Sequence, residues 1–285
     1  MKISVEIYTL AEKFGDFRAI EILKEAGFDA VDYSYYYNKD NDEVLGDGYI
    51  EYAKKIRAHL DAVGLACNQA HAPFHFTYGS EMNESDPMYR STVRAIESAA
   101  ILGAKCIVVH AVPVPDGIDG EAYNVEFYKS LIPYCEKAGI KIAIENLFSL
   151  DKTRGRYVSR FGTPETLNAL IGKVDSPYAV ACIDVAHAEL TGTDADKFIR
   201  KVKPEYLQAL HIHDNDYQSD KHILPYSGKF NWENIMTALK DSGYKGELTL
   251  EVIGWLSKLP DELLPAGMKF AAETARHLTS IFDKN

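Results

Sequence analysis

The first candidates for chemistry are ligand-type side chains that end an apolar run at residues 207–210. Imidazoles and carboxylates follow this run within a short distance, at His211, His213, Asp214, Asp216, Asp220 and His222. Apolar strands with polar carboxyl ends are typical of the end of a parallel barrel where the loops carry chemistry. Histidine and carboxylate together are suited to a divalent metal ion, and His211 is the first candidate ligand.

The same kinds of residue end five other apolar runs, each about one strand–helix unit from the next. The six tips are His71, His110, Glu145, Asp184, His211 and Glu251. A lone histidine here could be a hydrogen-bonded spacer, Glu145 could pair with an arginine, and Glu251 could cap a loop. Six such tips together predict a metal site, because a divalent cation needs several donors aimed at one point from rigid elements.

The elements that must position these residues alternate regularly. Strands are predicted at 3–7, 28–33, 65–70, 105–109, 140–144, 179–183, 207–210 and 246–250. Helices are predicted at 17–26, 49–63, 87–102, 123–137, from 164 onwards, and at 194–202, 232–240 and 260–282. This alternation, without a linker rich in Pro, Gly or Ser, predicts an α/β fold: a single (β/α)8 TIM barrel over residues 1–285. A doubly wound open sheet is the alternative, but it would place the polar strand ends in a row along one edge of the sheet and would not bring them together.

Composition limits the possible partners. The chain of 285 residues is 46% hydrophobic and carries 31 Lys and Arg against 42 Asp and Glu, a net charge of −11. That charge disfavours broad contact with nucleic acid or anionic membrane. Four isolated cysteines are expected to be buried and reduced. The charged first strand is not a signal peptide, and no apolar run approaches the ~20 residues that span a bilayer. We therefore expect a soluble, cytoplasmic protein.

Four motifs give a family resemblance over essentially the whole chain. Ile144-Glu145-Asn146, Ile183-Asp184-x-x-His187, His211-Ile212-His213 and Leu250-Glu251-Val252 resemble the xylose isomerase-like barrel superfamily, which contains sugar isomerases and epimerases together with endonuclease IV. The ketose 3-epimerases of that group imply one divalent ion (Mn, Co, Mg or Zn) held by Glu145, Asp184, His211 and Glu251. They also imply that Glu145 and Glu251 act as catalytic acid and base through a metal-stabilised enediolate. Relatives commonly form homo-oligomers.

Other residues are expected to contact the substrate, a small sugar or sugar phosphate. The substrate contacts are predicted to be His187, His71, His110, Tyr217, His222 and Trp255. Tyr217 stands where the ketose epimerases carry an arginine, which is a departure from their pattern. His187 could instead cap a helix, and His222 could hold an additional metal with His187 and Asp220.

Two features of the predicted barrel mouth have two interpretations each. Tyr33, Tyr35, Tyr36, Tyr37 and Trp255 could pack against sugar C–H surfaces or simply pack a lid. The basic residues after the fifth strand could bind a phosphate or carboxylate, or could be solvated; they are Lys152, Arg154, Arg156 and Arg160. No dinucleotide or Walker glycine pattern is present, so no nucleotide cofactor is expected.

Two rival functions remain at this stage. Endonuclease IV is a zinc-dependent abasic-site DNA endonuclease, and this chain has residues resembling all the ligands of its three-zinc cluster: His71, His110, Glu145, Asp184, His187, His211, Asp220, His222 and Glu251. Against it, the segments 40–43 and 81–86 are acidic where a DNA-binding surface needs Lys and Arg, so nucleic acid is an unlikely partner. The third possibility is a binding or regulatory barrel without turnover.

Overall fold

A computed structural model describes the backbone of residues 1–151 and 156–284, and the side chains of residues 1–149 and 160–284. The strands are β1 (Ile3–Glu6), β2 (Ala30–Ser34), β3 (Ala66–His71), β4 (Cys106–Val109), β5 (Lys141–Glu145), β6 (Leu147–Asp151), β7 (Arg156–Arg160), β8 (Ala179–Asp184), β9 (Leu207–His211) and β10 (Leu248–Leu250). The helices are α1 (Tyr8–Phe14), α2 (Asp16–Ala26), α3 (Tyr49–Val63), α4 (Pro87–Leu102), α5 (Gly120–Ala138), α6 (Pro164–Val174), α7 (Val185–Leu190), α8 (Ala195–Lys201), α9 (Trp232–Asp241), α10 (Ile253–Leu256) and α11 (Leu264–Lys284).

Eight of the strands form one parallel sheet in the order β10-β1-β2-β3-β4-β5-β8-β9. Its two ends meet, because the amide of Ile212 donates to Thr249 O (2.9 Å) and the amide of Glu251 donates to Ile212 O (3.1 Å). The predicted TIM barrel is therefore confirmed, and the open-sheet alternative is wrong. The eight predicted strands agree with the observed ones to within two residues.

Sequence signals explain why the main helices end where they do. Gly64 and Gly103 follow α3 and α4 with φ of 70° and 91°, a left-handed conformation that glycine adopts without a steric cost. The strands between the helices are buried almost throughout, as expected for a parallel sheet covered by helices. The four cysteines are buried and free, as predicted.

Among the described residues, five elements were not predicted. They are the short helices α1, α7 and α10, and the strands β6 and β7, which form an antiparallel hairpin directly after the end of β5. Helix α7 begins on Asp184, whose side chain accepts a hydrogen bond from the amide of His187 (2.8 Å), so Asp184 and not His187 is the cap. Within the described residues, no helix is long and apolar enough to cross a membrane.

Candidate metal centre and substrate cavity

The four predicted metal donors converge at the carboxyl end of the barrel. Nδ1 of His211 lies 3.1 Å from Oε1 of Glu145 and 3.5 Å from Oε2 of Glu251. Donor atoms of Glu145, Asp184 and His211 lie within 4.8 Å of one another, and so do those of Asp184, His213 and Glu251. All of these residues are at least 95% buried, so rigid strand ends hold the donors around one small space.

Ion pairing dominates the electrostatics of this cluster. Burial alone would raise the pKa of Glu145, but the charges of His211 and His110 lower it well below its ordinary value. Likewise, burial opposes ionisation of Glu251, while His211 and His222 hold its pKa well below the usual range. Burial would lower the pKa of His211, but Cys182, Glu251 and Glu145 raise it well above normal. The buried carboxylates are therefore stable as anions only with positive charge beside them, which protonated histidines can supply.

Buried polar atoms without hydrogen-bond partners are a second reason why these donors fit a divalent cation. Buried polar atoms without a hydrogen-bond partner within the described residues concentrate here: Glu6 Oε2, Asp32 Oδ1, His211 Nε2, His213 Nδ1 and Asp220 Oδ1. Unsatisfied buried groups are rare in folded proteins, and a bound ion is one ordinary explanation for them. Mixed carboxylate and imidazole ligands are suited to Zn²⁺, Mn²⁺ or Co²⁺.

A second group of donors lies beside the first. Ligand atoms of His187, His213, Asp220 and His222 lie within 4.8 Å of one another. The rings of His213 and His222 stack with centroids 4.0 Å apart, and Nε2 of His213 lies 3.0 Å from Oδ2 of Asp184. His213 thus connects the two groups. No role was predicted for His213, although its position two residues after His211 on an extended segment was the signal.

His71 and His110 form a chain behind Glu145. Nδ1 of His71 donates to Ala72 O (2.9 Å), which leaves its Nε2 facing Nε2 of His110 at 3.1 Å. Nε2 of His110 in turn donates to Oε2 of Glu145 (2.7 Å). Burial lowers the pKa of His110, although Glu145 opposes that shift. His110 is therefore placed to orient Glu145, and His71 lies against the same nitrogen of His110.

A cavity of about 350 Å³ opens onto this centre. That size is within the range of small-ligand sites. Its lining includes the predicted residues His110, Glu145, His187, Asp220, His222 and Glu251, together with Tyr8, Tyr36, Tyr37, Phe74, Leu147, Phe148, Arg160 and Ile253. Four of the aromatic residues, Tyr8, Tyr36, Tyr37 and Phe74, pack together on one wall, and the rings of Tyr36 and Phe74 stack with centroids 4.6 Å apart. The cavity thus combines an apolar wall with a charged floor.

Several predicted contacts do not reach the cavity. The Tyr217 hydroxyl donates to Lys229 O (3.0 Å), and its ring is 45% exposed and packs on Phe230. The Trp255 ring packs toward Phe270 of α11. Neither side chain lines the cavity, and their contact with substrate stays a prediction.

The tyrosines after β2 divide into two pairs. Tyr33 bonds to Asp16, and the Tyr35 hydroxyl donates to Ser98 (2.8 Å), so both are core residues. Only Tyr36 and Tyr37 line the cavity. The predicted basic residues Lys152 and Arg154 lie outside the described residues, as does the side chain of Arg156; only Arg160 is placed.

Two buried carboxylates, Glu6 and Asp32, were missed. Glu6 ends β1, and Asp32, its partner in the sheet, lies two residues before the end of β2. Burial raises the pKa of Glu6 to about 8, although Ser34 and the Tyr8 amide bond to it. Oδ2 of Asp32 lies 3.7 Å from Nε2 of His211 and accepts from Gln69 (2.8 Å). The available signal was a charge at or near the end of each otherwise apolar strand.

The loop after β9 is built around a buried carboxylate, Asp214. It accepts hydrogen bonds from the amides of Tyr226 and Lys229 (3.1 and 2.9 Å) and from the Trp232 indole (3.1 Å). These contacts close the loop that carries Asp220 and His222. Gly228 approaches so closely that an added Cβ would lie 2.1 Å from Oδ1 of Asp214.

We therefore expect Gly228→Ala to lower stability by about 2 kcal/mol or more, since a buried hydrogen-bonded carboxylate must move. The matched control is Gly172→Ala inside α6, where the new Cβ would be 3.7 Å from the Tyr206 hydroxyl. That change should be neutral or stabilising by about 0.5–1 kcal/mol. Thermal unfolding of both variants checks the difference; equal midpoints would contradict the assigned role of Asp214.

The barrel and its strand-end donors define a protein class, which the sequence comparison also identifies. Residues 20–274 match the family model described as xylose isomerase-like TIM barrel, and the chain belongs to that family.

Similar proteins include an uncharacterised protein of Methanocaldococcus jannaschii, 29% identical over 192 residues (64% of this chain and 62% of that protein). A fructoselysine 3-epimerase of Escherichia coli O157:H7 is 27% identical over 128 residues (45% of this chain and 44% of that protein). Among solved structures, a D-tagatose 3-epimerase-like protein superposes with a TM-score of 0.77 at 23% identity, covering 100% of this chain and 99% of that one. The IOLI protein with a bound zinc atom gives a TM-score of 0.69 at 16% identity, covering 100% and 99%. The structural matches show a shared fold.

Proposed function

We propose that this chain is a divalent-metal-dependent sugar epimerase or isomerase, acting by proton transfer next to a carbonyl. The observation that carries the proposal is the arrangement of two glutamates. Glu145 and Glu251 end strands separated by β8 and β9, and each turns one oxygen toward Nδ1 of His211. The similarity to a fructoselysine 3-epimerase and to a D-tagatose 3-epimerase-like protein supports the same reaction class.

The two carboxylates are positioned by different donors. Oε2 of Glu145 accepts from His110 (2.7 Å), and Oε1 of Glu251 accepts from the Tyr36 hydroxyl (2.8 Å). In each case the other oxygen stays directed at the centre. A substrate between them would present opposite faces to two fixed carboxylates. One would remove and keep a proton from the carbon next to the carbonyl. The other, carrying a proton taken up from water, would deliver that proton to the opposite face or to the neighbouring carbon.

Glu145, Asp184, His211 and Glu251 would hold the cation. When bound, a divalent ion supplies positive charge that stabilises an enediolate anion of the substrate. The second group, His187, Asp220 and His222 with His213, is a candidate for an additional metal or for binding substrate oxygens. Tyr36, Tyr37 and Phe74 would pack against the sugar and keep water away from the reacting carbon.

The test is an exchange screen in D₂O. Free ketohexoses and their 6-phosphates are incubated with protein reloaded with Mn²⁺, Co²⁺, Mg²⁺ or Zn²⁺, and proton NMR follows loss of the signal next to the carbonyl. We expect exchange with at least one pair of sugar and metal, and its loss with chelator. If no combination of sugar and metal gave proton exchange, the proposal would be refuted.

The second candidate is a zinc-dependent endonuclease acting at abasic sites. It is favoured by the adjacency of three donor groups, since His71, His110 and Glu145 form a third one. Local charge opposes it, because Arg90 and Arg94 beside the barrel mouth already pair with Asp40 and Asp47 (2.6 and 3.0 Å). A nicking assay on an abasic duplex, with and without chelator, separates the two; chelator-sensitive nicking would favour the endonuclease.

A further inference from the structure

Arg160 differs from the other arginines whose side chains the structure describes. The other six pair with carboxylates: Arg18, Arg57, Arg90, Arg94, Arg200 and Arg276. Within the described part of the chain, no carboxylate lies in ion-pair distance of Arg160. Its Nε is buried and has no hydrogen-bond partner there. A largely buried guanidinium normally has its donors satisfied, so its position here indicates a role toward a ligand.

The hairpin fixes Arg160 next to the candidate catalytic residues. Arg160 pairs with Leu147 in the β6–β7 ladder, and Leu147 is two residues after Glu145. Burial lowers the pKa of the guanidinium, while Tyr128 and Glu145 oppose that shift. Arginine side chains keep their charge in proteins, so Arg160 places a cation within electrostatic range of Glu145. The backbone pairing thus holds Arg160, the last residue of β7, at the wall of the catalytic cavity.

Arg160 also lines three neighbouring cavities. Besides the catalytic cavity, it borders one of about 250 Å³, shared with Phe74 and His110, and one of about 360 Å³ that reaches Asn124 and Thr166. The side of the catalytic cavity near Glu251 is instead apolar, with Tyr8, Tyr36, Tyr37 and Ile253. A substrate in the catalytic cavity would therefore have both the Arg160 cation and the aromatic rings within reach.

We propose that Arg160 binds an oxyanion group of the substrate, a carboxylate or a phosphate, so that the natural substrate is an acidic sugar derivative. This inference rests on the proposed function, since it names the substrate class of the same site. The planar guanidinium offers two parallel donors to such a group, which fixes its orientation relative to Glu145.

The experiment compares three sugars that differ only at carbon 6: D-fructose, D-fructose 6-phosphate and D-fructuronate. Calorimetry measures their binding to the metal-loaded wild type, Arg160→Gln, Arg160→Lys and the control Arg200→Gln. Arg200 is a partly exposed surface residue paired with Asp241. We expect the wild type and the control to bind one acidic sugar about 10- to 100-fold more tightly than D-fructose. Arg160→Gln should lose this preference, and Arg160→Lys should retain part of it.

Equal affinities for the three sugars in the wild type would overturn the inference, as would a preference that survives in Arg160→Gln or no binding of either acidic sugar. Thermal unfolding of Arg160→Gln confirms that the variant folds. Together, the binding measurement and the proton-exchange measurement also separate this inference from the proposed function. Arg160-dependent anion binding without proton exchange would refute only the reaction, and exchange on neutral sugars without that binding would refute only the substrate class.

Discussion

Glu145→Gln and Glu251→Gln should each slow exchange of the substrate proton with solvent by about 10³-fold or more. An amide cannot take up the proton, and positioned acid–base groups contribute about 10²- to 10⁴-fold to such reactions. Both residues are at least 95% buried at the cavity floor, so water cannot easily replace them. Exchange is measured by proton NMR in D₂O with the sugar and metal found active in the screen.

Two controls separate loss of acid–base chemistry from loss of fold or metal. Glu247→Gln changes a glutamate just before β10, at the opposite end of the strand from Glu251, where it pairs with Lys105 (2.7 Å). It should leave the exchange rate unchanged. Metal content of each variant is measured alongside, because Glu145 and Glu251 are also proposed ligands. Full exchange in either active-site variant would refute its assignment as acid or base.

The regular spacing of polar residues at the strand ends made the candidate metal centre predictable from the sequence. In a parallel barrel every strand reaches the same end, so Glu145, Asp184 and His211 had to meet once their strands were identified. The interior carboxylates Glu6 and Asp32 were harder to predict. A single charge in an apolar strand does not reveal whether it faces the barrel interior or its helices, because one residue of register reverses the face.

The contacts of the loop after β9 could not be predicted, because hydrogen bonds between residues distant in the sequence determine the path of that loop. Asp214 accepts hydrogen bonds from residues 12 to 18 positions later in the chain, which turn His222 toward Glu251 and Tyr217 toward Lys229. Nothing in the local sequence around residue 217 specifies that direction. The β6–β7 hairpin is similar, since it places Arg160 beside Leu147 through pairing across a segment that contains no apolar periodicity.

Asp184→Asn should weaken divalent-metal binding by about 100-fold or more. Replacing even residues that only support metal ligands costs about 10- to 100-fold in affinity, so a direct ligand should cost at least that much. Asparagine keeps the size of the side chain and the oxygen that caps α7, where Asp184 accepts from the His187 amide (2.8 Å). The change therefore removes charge from the centre with little effect on the helix. Competition with a fluorescent chelator measures the affinity.

The matched control is Asp119→Asn, another capping aspartate, whose side chain accepts from the amides of Glu121 and Ala122 at the start of α5 (3.1 and 3.0 Å). It should leave metal affinity unchanged. The variants should also differ in the response of their unfolding temperature to chelator. A ligand that binds only the folded state stabilises it by about 2.7 kcal/mol at a hundred times its dissociation constant. Wild type and Asp119→Asn should lose that stabilisation on chelation, whereas Asp184→Asn should have little to lose. An Asp184→Asn protein with wild-type affinity and the same chelator response would show that the four strand ends do not share an ion.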